Sequence, residues 1–259
     1  MTKICILIDW SQSFTDKNGS FYSGASLNEK ENACLLIEKC DKVISFIDIH
    51  SKVSKEFTIN GGIYPVHNLV DEDLTLSPSK NASARLTEKI QKKIEEKKLK
   101  SGVVIPNNVI YQTPEQPMSV DSIIKTFDKL PLIHSPEECQ YDYIVSCKHF
   151  FNGTAMQRIP QGNIVNEFTA ASILQYQYGT GKGLTFYISG VVTGICVIHT
   201  AAGLKQMFPE STIIVVKDAC HPLIGEQFGI SSKEQNDIVV CALCTQIGIL
   251  YKSINTLTF

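Results

Sequence analysis

The chain has 259 residues, enough for one large α/β domain or two small ones around a sizeable core. Hydrophobic residues make up 43%, charged residues 19%, and the net charge is -2. That balance excludes a disordered chain and supplies no basic footprint for nucleic acid or an anionic membrane.

Nine cysteines, an odd number in a chain this long, read as reduced cytosolic thiols rather than a disulfide framework. A cytoplasmic protein is therefore expected, and the sequons at Asn81 and Asn152 are read as unused. No window approaches the roughly eighteen uninterrupted apolar residues of a transmembrane helix.

At the N-terminus, the apolar run before Asp9 is too short for a signal peptide and has no small-residue cleavage site. Lys3 to Ile8 is predicted to be a buried strand closed by Asp9. Residues 27 to 40 carry an apolar stripe (Leu27, Ala33, Leu36, Ile37, Cys40) and predict a helix. Val43 to Ile47 is a second short strand, ending at Asp48. Gly61, Gly62 and Pro65 make the next stretch a loop.

Residues 84 to 100 are highly charged at helical spacing. Interleaved lysines and glutamates make them a solvated surface helix rather than a binding patch. Helices are predicted over Met118 to Leu130 and Asn166 to Tyr178, and strands over Asp142 to Cys147, Leu184 to Ser189 and Ser211 to Val216. Another helix begins near Gly194, and a long apolar terminal helix spans Lys233 to Lys252. The alternation implies a mainly parallel sheet with helices on both faces. Residues 69 to 140 are the least regular, an elaboration between strands of a single domain.

In open parallel sheets the site lies beyond the carboxyl ends of the strands. Asp9, Asp48 with His50, Lys148 and the turn leading to Cys196 all occupy that edge. Cys196 follows a glycine turn at a helix start, where unpaired N–H groups and the helix dipole lower a thiol pKa and can hold an oxyanion. It is either that or one of nine small buried hydrophobes. Asp9 is a general base or a turn cap. Lys148 is a charge stabiliser or a lysine reaching solvent.

Asp48 and His50 share one side of an extended segment, as metal ligands or as a hydrogen-bonded loop pair; His67 could complete a ligand set. His199, one turn after Cys196, reads as structural, and Cys241-Ala242-Leu243-Cys244 lies inside a helix, where a redox role is not expected.

Taken in order, these segments resemble the isochorismatase-like cysteine hydrolases, and among them the nicotinamidases. Ile8-Asp9-Trp10-Ser11-Gln12-Ser13-Phe14 resembles the first-strand motif with its catalytic aspartate. Asp48-Ile49-His50 and Gly61-Gly62-Ile63-Tyr64-Pro65-Val66-His67 resemble the two metal-binding segments, and Lys148 the catalytic lysine. Ser189 to Val197 resembles the nucleophile segment, and Val215 to Ala219 the strand after it. The chain departs from the pattern at Ser11, Gln12 and Ser13, at Tyr64 where tryptophan is typical, at Asn68 where cysteine is frequent, and at His149-Phe150-Phe151-Asn152.

The resemblance implies a three-layer αβα fold and an amidase that converts nicotinamide to nicotinate and ammonia, a step of NAD salvage. It implies Asp9, Lys148 and Cys196 as the catalytic triad, with a cis peptide at Val191–Val192. An oxyanion hole would form from the N–H groups of Val192 and Cys196. Asp48, His50 and His67 would hold one divalent ion (zinc, with manganese or iron as alternatives), and Phe14 and Tyr64 would flank the substrate ring. The expected partner is a small amide, with no nucleic acid or membrane; a homo-oligomer is compatible. Two readings remain beside it: a metal-free relative acting on a carbamoyl or vinyl-ether substrate, and a binding module that has kept the fold.

Overall fold

Ile4 to Ile8 have no exposed surface, and every residue of Lys42–Asp48 is buried. Strands covered on both faces read as continuous apolar runs, the mark of a parallel sheet with helices on each side. The computed structural model describes residues 1–75, 81–112, 116–155, 168–225 and 228–259. It holds seven strands: β1 (Thr2–Ile8), β2 (Lys42–Asp48), β3 (Ser101–Val104), β4 (Tyr143–Lys148), β5 (Leu184–Val191), β6 (Thr212–His221) and β7 (Leu250–Lys252). Their order is β3-β4-β2-β1-β5-β6-β7, and every pairing is parallel.

The helices are α1 (Gln12–Thr15), α2 (Leu27–Lys39), α3 (Glu88–Lys97), α4 (Asn107–Ile110), α5 (Val120–Thr126), α6 (Ala170–Tyr178), α7 (Ile198–Met207) and α8 (Lys233–Gln246). Alternate strand residues feed two separate cores, as the twofold period of a strand requires. Cys5, Leu7, Val43 and Val145 pack with residues of α2, α3 and α5. Ile4, Ile6, Ile44 and Phe186 pack with residues of α6, α7 and α8 on the other face. The result is the three-layer αβα arrangement expected from the alternation. Among the described residues, no helix is long and apolar enough to cross a membrane.

Several boundaries differ from the sequence expectation. The charged helix spans only Glu88–Lys97, because the residues before Thr87 run as extended bridges, Ser83 with Leu69 and Leu86 with Ser11. The helix predicted over Met118 to Leu130 shrinks to Val120–Thr126, started by Ser119, whose hydroxyl accepts from Ser122 N–H. That predicted from Asn166 begins at Ala170, and residues 166–167 lie outside the described residues. The terminal helix stops at Gln246. Gly248 takes the left-handed conformation (φ 72°) that ends helices, and the apolar run beyond it forms β7. The irregular stretch 69 to 140 contributes the edge strand β3. Its four residues are too few to show any period.

Two contacts of the sheet set up the site. Asp48 and Lys148 are register partners across β2 and β4, so their side chains leave the sheet together. Gly190 sits opposite Ile8, where a Cβ would lie 2.2 Å from the Ile8 carbonyl oxygen. Only glycine lets β5 approach β1 this closely at its carboxyl end.

Candidate active site

Strand β1 ends where Asp9 enters the left-handed region (φ 50°), uncommon for a residue with a side chain. Its N–H donates to Phe46 O, and its Oδ1 accepts the Asp48 N–H at 2.7 Å. The other oxygen, Oδ2, lies 2.8 Å from Lys148 Nζ. That ammonium also stands 3.5 Å from Asp48 Oδ1 and 3.8 Å from Cys196 Sγ. Asp9, Lys148 and Cys196 therefore meet around one lysine, and all three are buried. Ahead of Cys196, the Val191–Val192 peptide is cis. A single wide turn, Thr193–Val197, then presents the thiol and leads into α7. Trp10 Nε1 donates to Ser189 Oγ at 2.8 Å and ties the β1 end to the nucleophile strand.

Electrostatics here follow from burial first and partners second. Burial pushes the Asp9 carboxyl up, and Asp48 adds to this against the pull of Lys148. Burial disfavours the Lys148 ammonium, but Asp48, Asp9 and Cys196 outweigh it and hold the amine above its ordinary value. Burial also pushes the Cys196 thiol well up, with Lys148 opposing and Asp9 reinforcing. This corrects the sequence expectation of a thiol acidified by its helix start. Lys148 and Asp9 are the charged groups beside the thiol.

A second cluster adjoins the first. Donor atoms of Asp48, His50 and His67 lie within 4.8 Å of one another, and all three residues are buried. His50 Nε2 is 3.0 Å from Asp48 Oδ2. His67 Nδ1 pairs with Pro65 O at 2.7 Å, which leaves Nε2 to face the cluster. Burial, then His50, pushes the His67 pKa down to about 3. Burial works against the His50 imidazolium, but Asp48 and Glu56 raise its pKa above the usual value. His50 Nδ1 and Asp48 Oδ1 are buried without a hydrogen-bond partner, while His50 Nε2 faces carboxylate oxygens of Asp48 and Glu56. Two imidazoles and a carboxylate converging in one buried cluster suit a borderline divalent cation such as zinc.

A nicotinamidase/pyrazinamidase from Bacillus subtilis superposes with a TM-score of 0.57 at 15% identity, covering 98% of this chain and 100% of that one. An N-carbamoylsarcosine amidase from Thermoplasma acidophilum gives 0.52 at 16% identity and covers 100% of both chains. A pyrazinamidase of Pyrococcus horikoshii, in complex with zinc, gives 0.53 at 16% identity, covering 98% and 100%. The chain has the isochorismatase-like hydrolase fold. No family model and no curated protein sequence matches it.

In this isochorismatase-like frame, the thiol opens onto a small cleft, with a cavity volume of about 30 Å³. Phe14 and Tyr64, the two predicted ring contacts, both line it, together with Asp48, His67, Val192 and Cys196. The Phe14 ring lies 5.0 Å from that of His67. Residues that sequence reasoning missed also line it: Phe21, Glu56, Phe151, Ile195 and Leu223. Glu56 matters most, because its Oε1 is 3.3 Å from His50 Nε2 and 3.2 Å from His67 Nε2. Nothing in the sequence near Lys55-Glu56-Phe57 sets this glutamate apart from others on the surface.

Outside the site, His199 is exposed, its Nδ1 2.7 Å from Ile195 O, and Cys241 and Cys244 lie within α8. All nine cysteines are free.

Proposed function

We propose that the protein is a cysteine amidohydrolase acting on a small aromatic amide, with nicotinamide, hydrolysed to nicotinate and ammonia, the preferred candidate. One observation carries this: Lys148 lies 2.8 Å from Asp9 and 3.8 Å from Cys196, and Cys196 lines an aromatic pocket together with Asp48 and His67 of the Asp48–His50–His67 cluster. The fold shared with nicotinamidases and a carbamoylsarcosine amidase supports an amide substrate.

In the reaction, Asp9 removes the Cys196 proton as the sulfur attacks the amide carbon. Lys148 stabilises the paired negative charges through this transfer. Backbone N–H groups of Val192 and Cys196 take the developing oxyanion. Asp9 then returns its proton to the leaving ammonia, and water resolves the thioester. Asp48, His50 and His67 would hold one zinc, manganese or iron ion, whose chemistry is to bind a ring nitrogen and orient the substrate. Phe14 and Tyr64 flank the ring. Nine unpaired thiols fit a reducing cytoplasm, where such a step would return nicotinamide to pyridine-nucleotide synthesis.

The test is ammonia release from nicotinamide, pyrazinamide and carbamoyl compounds, with and without chelator. Turnover of the two pyridine-like amides, lost in Cys196→Ala and weakened by chelation, is expected. Turnover of carbamoyl compounds alone, indifferent to chelator, would replace this reading with a metal-free relative.

A further inference from the structure

We infer that His149 positions His50, by accepting the His50 Nδ1 hydrogen bond that fixes which nitrogen His50 offers to a cation. This rests on the cation site of the proposed function and adds a residue to it. His50 is buried to 1% exposure, and its Nε2 is the atom turned toward Asp48 and Glu56. A neutral imidazole that donates a lone pair from Nε2 carries its proton on Nδ1. That N–H lies in the interior and needs an acceptor. Among the described residues, His50 Nδ1 has none.

His149 supplies the missing group. It follows Lys148 directly at the end of β4, and its ring stands 5.4 Å from that of His50, edge to face at 71°. Its own Nδ1 is likewise buried and without a partner. Two unpartnered nitrogens on adjacent rings, one requiring an acceptor and the other able to be one, are complementary. At a centroid separation of 5.4 Å, a ring rotation or one bridging water would close the pair. His67 needs no such help, because Pro65 O already holds its Nδ1. The two imidazoles thus reach the same presentation, Nε2 inward, through different partners. His149 is one of the positions at which this chain departs from the pattern its motifs resemble, so the arrangement belongs to this sequence.

The test uses zinc alone with the full-length protein. Histidine-¹⁵N NMR of the zinc-loaded wild type should show His50 protonated at Nδ1 with slow exchange, and His149 Nδ1 unprotonated. Competition titration should show zinc binding weakened about 10- to 100-fold in His149→Phe, the usual cost of losing such a partner. His149→Gln, which keeps an acceptor, should recover most of the affinity. A wild-type His149 carrying its proton on Nδ1 would overturn the inference whether or not the variants fold. So would a His149→Phe protein that binds zinc as the wild type does, with the His50 signal unchanged. Either result leaves the amidase reading intact, because ammonia release is measured separately. Wild-type protein that binds no zinc removes the cation site and this inference together.

Discussion

Lys148 faces two carboxylates and a thiol and is almost wholly buried, so its removal should cost stability as well as any proposed activity. In Lys148→Met, Asp9 loses its cation and must protonate or stay buried unpaired, while Asp48 keeps only His50. Breaking a buried pair in this way costs about 3–5 kcal/mol. Urea unfolding should show that loss, and the double variant with Asp9→Asn should lose less than the sum of the two single changes. The thiol responds in a fixed direction. Lys148 opposes the upward push of burial on Cys196, so without it the pKa rises further and alkylation at pH 8 slows. An unchanged alkylation rate would separate Lys148 from the thiol.

Cys196→Ala removes one small side chain of 6% exposure. It should therefore fold and melt close to the wild type while turnover falls to background. These three residues were legible because each sits at a strand end, a place the hydrophobic pattern itself marks. Glu56 and Phe21 were not, since they reach the site from irregular chain that no period describes.

Helix α2 is tied to the far half of the sheet through one buried carboxylate. Glu29 closes the capping box of α2 with Ser26. It also pairs with His221 Nδ1 at 2.9 Å, at the end of β6, and with Lys233 Nζ at 3.0 Å, in the first turn of α8. Burial opposes ionisation, but His221, Ser26 and Lys233 together lower the Glu29 pKa from 4.5 to about 2. A depressed carboxyl pKa contributes stability above the unfolded value and loses it as pH falls through the folded one. Glu29→Gln should therefore be less stable by about 3 kcal/mol at pH 7. The gap should persist down to about pH 4.5 and close as pH approaches 2. Unfolding curves at pH 7, 4.5 and 3 measure this; a gap that stays constant from 7 to 3 would assign the loss to packing.

None of this network was visible in the sequence, where Glu29, His221 and Lys233 stand up to 204 positions apart. The elements themselves were more legible. Strands β1, β2, β4 and β5 and helix α2 appeared with nearly the right limits, whereas β6 runs on to His221, beyond its expected end, and β3 and β7, of four and three residues, were not expected as strands. Short edge strands carry too few residues to show a period, and their pairing comes from the rest of the sheet.

Across the whole molecule, the order β3-β4-β2-β1-β5-β6-β7 makes β1 the strand from which the chain proceeds to either side. Such a reversal leaves a crevice beyond the strand ends, and Asp9, Asp48, Lys148 and Cys196 all border it. The cation cluster extends this crevice outward. Asp48 and His50 belong to the β2 end, whereas Glu56 and His67 come from the loop before residue 69. An ion bound there would join loop to sheet, and only in the folded chain, since the donors are scattered when it unfolds. Ligand that binds the folded state alone stabilises it by mass action, by about 2.7 kcal/mol at 100 times its Kd. In a domain of this size that corresponds to a rise in Tm of about 5–10 °C. Thermal melts under reductant should show this rise with zinc, its reversal by chelator, and its loss in His67→Ala. Zinc that lowers Tm, or raises it equally in His67→Ala, would mean that the ion binds the nine thiols or the unfolded chain, and that the Asp48–His50–His67 cluster is not its site.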